Sequence, residues 1–132
     1  MILLDTSIFI VLFKDKSAFQ SIFKSLPDEE IVISAITIAE IELGFSLFKS
    51  AKKRIQKEEF WNYIKNYKVK ILPVTAETAK IYAQIQSELM GEGKQLSRFD
   101  ALIAATGIVN DLLLVARDID FKRVKGLKLK LI

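Results

Sequence analysis

Apolar residues in this chain come in two rhythms, short solid runs and longer stretches with a helical period, and the two alternate. Ile2-Leu3-Leu4, Ile31-Val32-Ile33, Val69 to Val74 and Leu112-Leu113-Leu114-Val115 are the solid runs. Runs of this kind predict strands buried on both faces, the habit of a parallel sheet covered by helices. Leu127-Lys128-Leu129-Lys130-Leu131 alternates instead and predicts a half-buried edge strand. Pro73 puts the third run at or near a sheet edge, because proline donates no ladder hydrogen bond.

The segments between the runs carry the helical period. Phe9 to Phe13 and Phe19 to Leu26 predict short helices, with Pro27-Asp28 as the break. Ile36 to about Glu59 has apolar residues at Ile38, Ile41, Phe45, Phe48 and Ile55, interrupted by Gly44. Phe60 to Tyr67 is an aromatic-rich helix suited to a core or a subunit contact. Thr75 is placed to cap the next helix, with Ala79, Tyr82, Ile85 and Leu89 as its inner stripe and Gly91-Glu92-Gly93 as its end. Ser97 opens the last one, with Leu102, Ala105 and Val109 inward. Strands separated by helices predict an α/β domain over residues 1–132, with a central, mainly parallel sheet of four to five strands flanked by helices.

Composition changes this picture mainly by exclusion. With 132 residues, 51% of them hydrophobic, the chain is long enough for one well-formed core. Cysteine and histidine are both absent. Thiol nucleophiles, zinc–thiolate sites, histidine acid–base pairs and the Ser-His-Asp triad are therefore excluded. Any catalysis falls to carboxylates, hydroxyls, Lys, Arg or a bound ion, and an ion held by oxygens alone is a hard one such as Mg²⁺ or Mn²⁺. The net charge of +4 suits a polyanionic partner. Lys49, Lys52, Lys53, Arg54 and Lys57 form one basic cluster, and Lys122, Arg123, Lys125, Lys128 and Lys130 another; alone, each reads as a solvated face. No apolar run reaches the roughly 18 residues needed to cross a bilayer, and no secretion signal is visible, so a cytoplasmic protein is expected.

Four acids stand where a parallel sheet would present them. Asp5 follows the first run and Asp118 the fourth; Glu40 lies one turn into the helix after the second, and Asp100 in the first turn after Ser97. Ligands of open α/β sheets bind beyond the carboxyl ends of the strands. Each acid also has a local explanation. Asp5 is a favoured N-cap, Thr37-Ile38-Ala39-Glu40 fits a capping box, Ser97-Arg98-Phe99-Asp100 resembles one, and Asp118 is placed to cap a short helix through Phe121. Convergence has a different consequence from capping. Unit charges about 4 Å apart repel by roughly 4 kcal/mol at an effective dielectric of 20. Acids gathered in one cleft thus need to be protonated or neutralised by a divalent cation; the second points to a metal, and carboxylate-held Mg²⁺ or Mn²⁺ serves phosphodiester hydrolysis. Glu42, two residues from Glu40, faces another side of the helix.

Asp5-Thr6-Ser7, Thr37-Ile38-Ala39-Glu40 with Gly44, Phe99-Asp100-Ala101-Leu102-Ile103-Ala104-Ala105 and Ala116-Arg117-Asp118-Ile119-Asp120-Phe121 resemble the four signature blocks of PIN-domain ribonucleases of the VapC toxin type, in order and spacing over essentially the whole chain. The resemblance implies a metal-dependent endoribonuclease that leaves 5′-phosphate and 3′-hydroxyl ends. It also implies a homodimer held in check by a VapB-type antitoxin. Carried over by position, Asp5, Glu40, Asp100 and Asp118 are expected to be catalytic metal ligands, and Thr6 the hydroxyl that orients them. Arg117 is expected to hold a flanking RNA phosphate. One departure stands out: the family usually has Thr or Ser where this chain has Ala116, which removes a supporting hydrogen bond near Asp118. Asp120 either shares that role or is a helix-terminus charge.

Two rivals belong to other classes. A receiver-like phosphoacceptor domain needs an Asp at the end of its middle strand, and Leu72-Pro73-Val74-Thr75 offers none. A PIN-like module that binds protein or RNA without cleaving it has Ala116 in its favour.

Overall fold

The computed structural model describes residues 1–132. In chain order the elements are β1 (Ile2–Leu4), α1 (Thr6–Lys14), α2 (Lys16–Lys24), β2 (Ile31–Ser34), α3 (Ala35–Leu47), α4 (Ala51–Asn66), β3 (Lys70–Leu72), α5 (Ala76–Gly91), α6 (Arg98–Val109), β4 (Leu113–Ala116), a 3-10 turn (Ile119–Arg123) and β5 (Lys128–Leu131). The five strands form one sheet in the order β3-β2-β1-β4-β5, parallel throughout. The expected α/β architecture is therefore present, with β3 and β5 at the edges where Pro73 and the alternating lysines place them.

Alternation along the strands divides the apolar residues between two cores. Leu3, Val32 and Leu114 face α5 and α6. Ile2, Leu4, Ile33 and Val115 face α1 to α4. Both faces of β1 are sealed, which is why it reads as solid Ile-Leu-Leu. The second core is built on aromatic rings: Phe9 meets Phe60 edge-on at 5.4 Å and Tyr63 at 5.9 Å. On the first, Gly107 lets α6 lie against the sheet, since a Cβ there would meet Leu127 Cδ1 at 3.2 Å.

Three expectations need correction. The helical stretch from Ile36 to about Glu59 is two helices, and the break lies at Phe48–Ser50, not at Gly44. Ser50 caps α4 by accepting from the Lys53 amide at 3.1 Å, so a serine supplies the helix start that the apolar period alone does not reveal. The inner stripe of α5 contains Thr78 rather than Ala79, which is exposed. On α6 the buried residues are Ala101 and Ile103 to Gly107, whereas Leu102 and Val109 are only half-buried. A helix clasped between the sheet and α5 has little outward face, so a simple stripe misplaces its interior.

Chain order puts a reversal beside β1. From β1 the chain moves to β2 and β3 on one side, then returns to β4 on the other. The β1/β4 boundary is thus the point where an open α/β sheet leaves a crevice at its carboxyl edge. Leu4 pairs with Val115, and the Asp5 amide donates to the Val115 carbonyl at 2.9 Å. The last ladder bond therefore ends at the first of the four acids.

Candidate active site

Asp5 is only 4% exposed, a severe position for a carboxylate. As the cap of α1 its Oδ2 accepts from the Ser7 amide at 3.3 Å and the Ser7 hydroxyl at 2.6 Å. Its Oδ1 is buried with no hydrogen-bond partner. Cap and site are not alternatives at this residue, because one oxygen serves the helix and the other is left over. A buried polar oxygen without a partner is costly by ~1–3 kcal/mol and calls for an explanation.

Glu40 is held from the opposite wall. Thr6 Oγ1 donates to Glu40 Oε1 at 2.8 Å and lies 3.1 Å from Thr37 Oγ1, tying the first turn of α1 to α3. The Thr37–Glu40 capping box is not formed: α3 begins earlier, capped by Ser34, whose Oγ accepts from the Ile36 amide at 3.1 Å. Thr37 is instead a fully buried polar residue beside the site. Asp100 lies in the first turn of α6, its backbone amide donating to Ser97 Oγ at 3.2 Å. Asp118 caps the 3-10 turn through Oδ1, accepting from the Asp120 amide at 2.8 Å.

All four acids, with Thr6, Ser7 and Ile10, line one cleft of about 340 Å³. In the conformation seen, no three of them form a ready-made coordination cage. They do share an electrostatic strain. Burial pushes the Asp5 carboxyl up, its bonds from Ser7 offset part of this, and the Asp118 charge adds to it. Glu40 is raised by burial, against the pull of the Thr6 hydroxyl, and further by Asp100 and Asp5. Asp100 is raised by burial and, despite Ser97, by Asp5, Asp118 and Asp120. An all-oxygen donor set, an orphaned buried oxygen and mutual repulsion together fit a hard divalent cation.

Two residues read from the sequence fall outside this lining. Asp120 pairs with Arg123 at 3.0 Å, the helix-terminus role, although its charge still acts on Asp100. Arg117 is exposed. Glu42 faces away, as its spacing requires, accepting from Trp61 Nε1 at 2.7 Å and pairing with Lys57 at 3.3 Å. Ser7 and Thr37 are the site residues that sequence reasoning passed over. The Asp5-x-Ser7 spacing signals the first, since Asp caps commonly bond two residues on; nothing local signals the second.

Thr6 offers a direct test of the geometry. Thr6→Val keeps the shape but removes the hydroxyl that aims Glu40. Activity is expected to fall roughly 10- to 100-fold, the usual effect of losing a ligand-orienting partner. Thr6→Ser should keep most of it. A fully active valine variant would show that Glu40 needs no such aim.

A PIN-domain family profile matches residues 2–127. The chain belongs to the PIN-domain family. Among its relatives, the toxin FitB of Neisseria gonorrhoeae is 33% identical over 122 residues, covering 89% of this chain and 88% of that protein. Ribonuclease VapC of Rickettsia bellii is 32% identical over 128 residues, covering 96% and 92%. The same PIN fold is seen in the crystal structure of Rickettsia felis VapBC2 bound to a promoter DNA fragment, with a TM-score of 0.85, 28% identity and 98% of both chains covered. In this PIN domain the four acids occupy the carboxyl edge of the sheet at the β1/β4 reversal.

Proposed function

We propose that this PIN domain is a Mg²⁺- or Mn²⁺-dependent endoribonuclease, the toxin of a toxin–antitoxin pair, working in the cytoplasm. The observation that carries the reading is the single cleft lined by Asp5, Glu40, Asp100 and Asp118, with Asp5 Oδ1 left unpartnered. The names of its relatives, a VapC ribonuclease and the FitB toxin, support the substrate class and the biological role.

In this reading the four carboxylates hold the cation. Bound there, the cation would neutralise charge at the scissile phosphate and make water a better nucleophile. The chain's own contributions are positional. Ser7 holds one Asp5 oxygen and leaves the other without a protein partner, and Thr6 fixes the Glu40 carboxylate. Asp118 is the most exposed of the four acids and stands where a strand of RNA enters. Water oxygen forms the new bond to phosphorus, the bond from phosphorus to the 3′ oxygen breaks, and that oxygen takes a proton. The ends are 5′-phosphate and 3′-hydroxyl. Arg117, exposed beyond the cleft, holds a neighbouring phosphate.

A VapB-type antitoxin is the proposed partner, and a homodimer the proposed assembly. Of the aromatic segment from Phe45 to Tyr67, Phe45, Phe60 and much of Trp61 and Tyr63 are taken up in the core, which leaves Phe48 and Tyr67 exposed. Leu43 and Leu47 also suit a dimer surface. They are 55% and 64% exposed and share a stripe of α3 with Glu40. No helix is long and apolar enough to cross a membrane.

The deciding experiment incubates purified protein with RNA in Mg²⁺, Mn²⁺ or EDTA and sequences the released ends. Cleavage is expected with either ion and none in EDTA. Metal protection against thermal unfolding without any cleavage would favour the binding-only module instead.

A further inference from the structure

The largest concavity described in this molecule is not the carboxylate cleft. It has a volume of about 510 Å³ and lies at the junction of α3 and α4, walled by Phe45 and Phe48 and by Lys49, Lys53, Arg54 and Lys57. Of these cations only Lys57 has an acidic partner, Glu42; the others make no ion pair. Ser50 at its mouth is occupied as the α4 cap. Phe48 is 65% exposed at the rim, an unusual place for a phenyl ring and the largest exposed aromatic surface in the chain besides Tyr67. Unneutralised cations beside an exposed ring are the two parts of a single-strand platform: the ring stacks a base of any identity and the cations take the flanking phosphates.

We propose that the α3–α4 concavity binds an unpaired nucleotide of the RNA substrate, its base on Phe48 and its phosphates on Lys49, Lys53 and Arg54. This rests on the ribonuclease reading for the identity of the nucleic acid, though not for the binding itself. Ser46 on its wall lies six residues beyond Glu40, ~9 Å along α3 and on another side of that helix. A strand touching both places must round the end of α3. Only an RNA of several nucleotides does so, which makes the concavity a distal anchor that selects for longer or looped substrates.

The test measures binding of a fluorescent single-stranded RNA decamer by anisotropy in EDTA, so that no cleavage intervenes, over a range of salt. Lys53→Gln/Arg54→Gln is expected to weaken binding about tenfold. It should also lower the slope of log K against log salt by about 1.4, two phosphates at roughly 0.7 each. Phe48→Ala is expected to weaken binding roughly 5- to 100-fold, the range for losing one stacked base, with the slope unchanged. Lys122→Gln/Lys125→Gln, which removes equal charge from the other basic cluster, should leave the slope close to wild type. With Mg²⁺ present, the first two variants should raise KM for long RNA while kcat is kept.

Wild-type binding by both test variants would overturn the inference. So would an equal loss in the Lys122/Lys125 control, or a change in oligomer mass on Phe48→Ala in ultracentrifugation, which would make the rim a protein interface. If the wild-type protein cleaves no RNA with either ion yet the Phe48 and Lys53/Arg54 effects appear, the ribonuclease reading fails alone. If cleavage is intact and those effects are missing, the anchor fails alone.

Discussion

Asp5→Asn is expected to lower RNA cleavage at least about 100-fold while making the metal-free protein more stable. The first half comes from the loss of a ligand, since removing even a supporting partner costs 10- to 100-fold. The second comes from burial. The wild-type protein keeps an acid at 4% exposure with one oxygen unpartnered and the Asp118 charge nearby, and burial disfavours its charged form. Asn retains an acceptor for Ser7 and turns a neutral amide toward the other acids. A gain of about 1 kcal/mol corresponds to ~4 °C in Tm for a domain of this size.

The pH dependence has a definite sign. Burial raises Asp5, Glu40 and Asp100 above their ordinary values of 3.8, 4.5 and 3.8. As pH climbs past those values the unfolded chain ionises first, while the native state still holds its protons. Metal-free stability therefore falls across that interval and levels off once the native groups have ionised. The fall should be shallower in Asp5→Asn, which lacks one of the three groups. Tm measured against pH in EDTA checks both points. An Asn variant that cleaves like wild type, or that melts well below it, would remove Asp5 from the proposed site.

Phe60→Ala carries the largest expected cost to folding, ~3–5 kcal/mol, against a total of about 5–15 kcal/mol for domains of this kind. Phe60 is fully buried where α1, α3 and α4 meet. It packs edge-on against Phe9 at 5.4 Å and against Trp61 at 5.3 Å, with Phe45 at 6.3 Å and Phe13 at 6.4 Å. Those helices carry Thr6 and Glu40, so the cavity should also loosen the cleft. Urea denaturation gives the energy, and activity should fall at temperatures where most of the protein is still folded. Phe60→Leu, which fills most of the volume, should cost far less. A loss under about 1 kcal/mol for the alanine variant would mean that the rings are not what holds α3 in place.

The sheet is legible because its strands are short and mostly sealed on both faces, so Ile2-Leu3-Leu4 and Ile31-Val32-Ile33 read as interior strands. The acids were legible as candidates because each stands just after a strand or opens a helix. Which role each plays was harder, since Asp5 caps α1 and Asp118 caps the 3-10 turn. Local pattern cannot separate a cap from a cleft residue when one carboxylate is both. Glu40 misled in the other direction: Thr37 imitates a capping box, and only the three-dimensional neighbour Thr6 reveals why both are there. The α3–α4 break is not legible in the sequence because Phe48 and Ile55 continue the apolar period across it. Both turn out to be exposed. A period counts apolar residues without knowing which of them the core receives.

The pairing of β1 with β4 also fixes when the cleft can come into being. Its floor joins residue 5 to residue 118, and Leu4 finds Val115 only after most of the chain has left the ribosome. A growing polypeptide therefore lacks the complete acidic pocket until residue 118 and the strand before it have been made. Whatever chemistry the four carboxylates perform together must wait until the fourth strand has emerged and paired with the first.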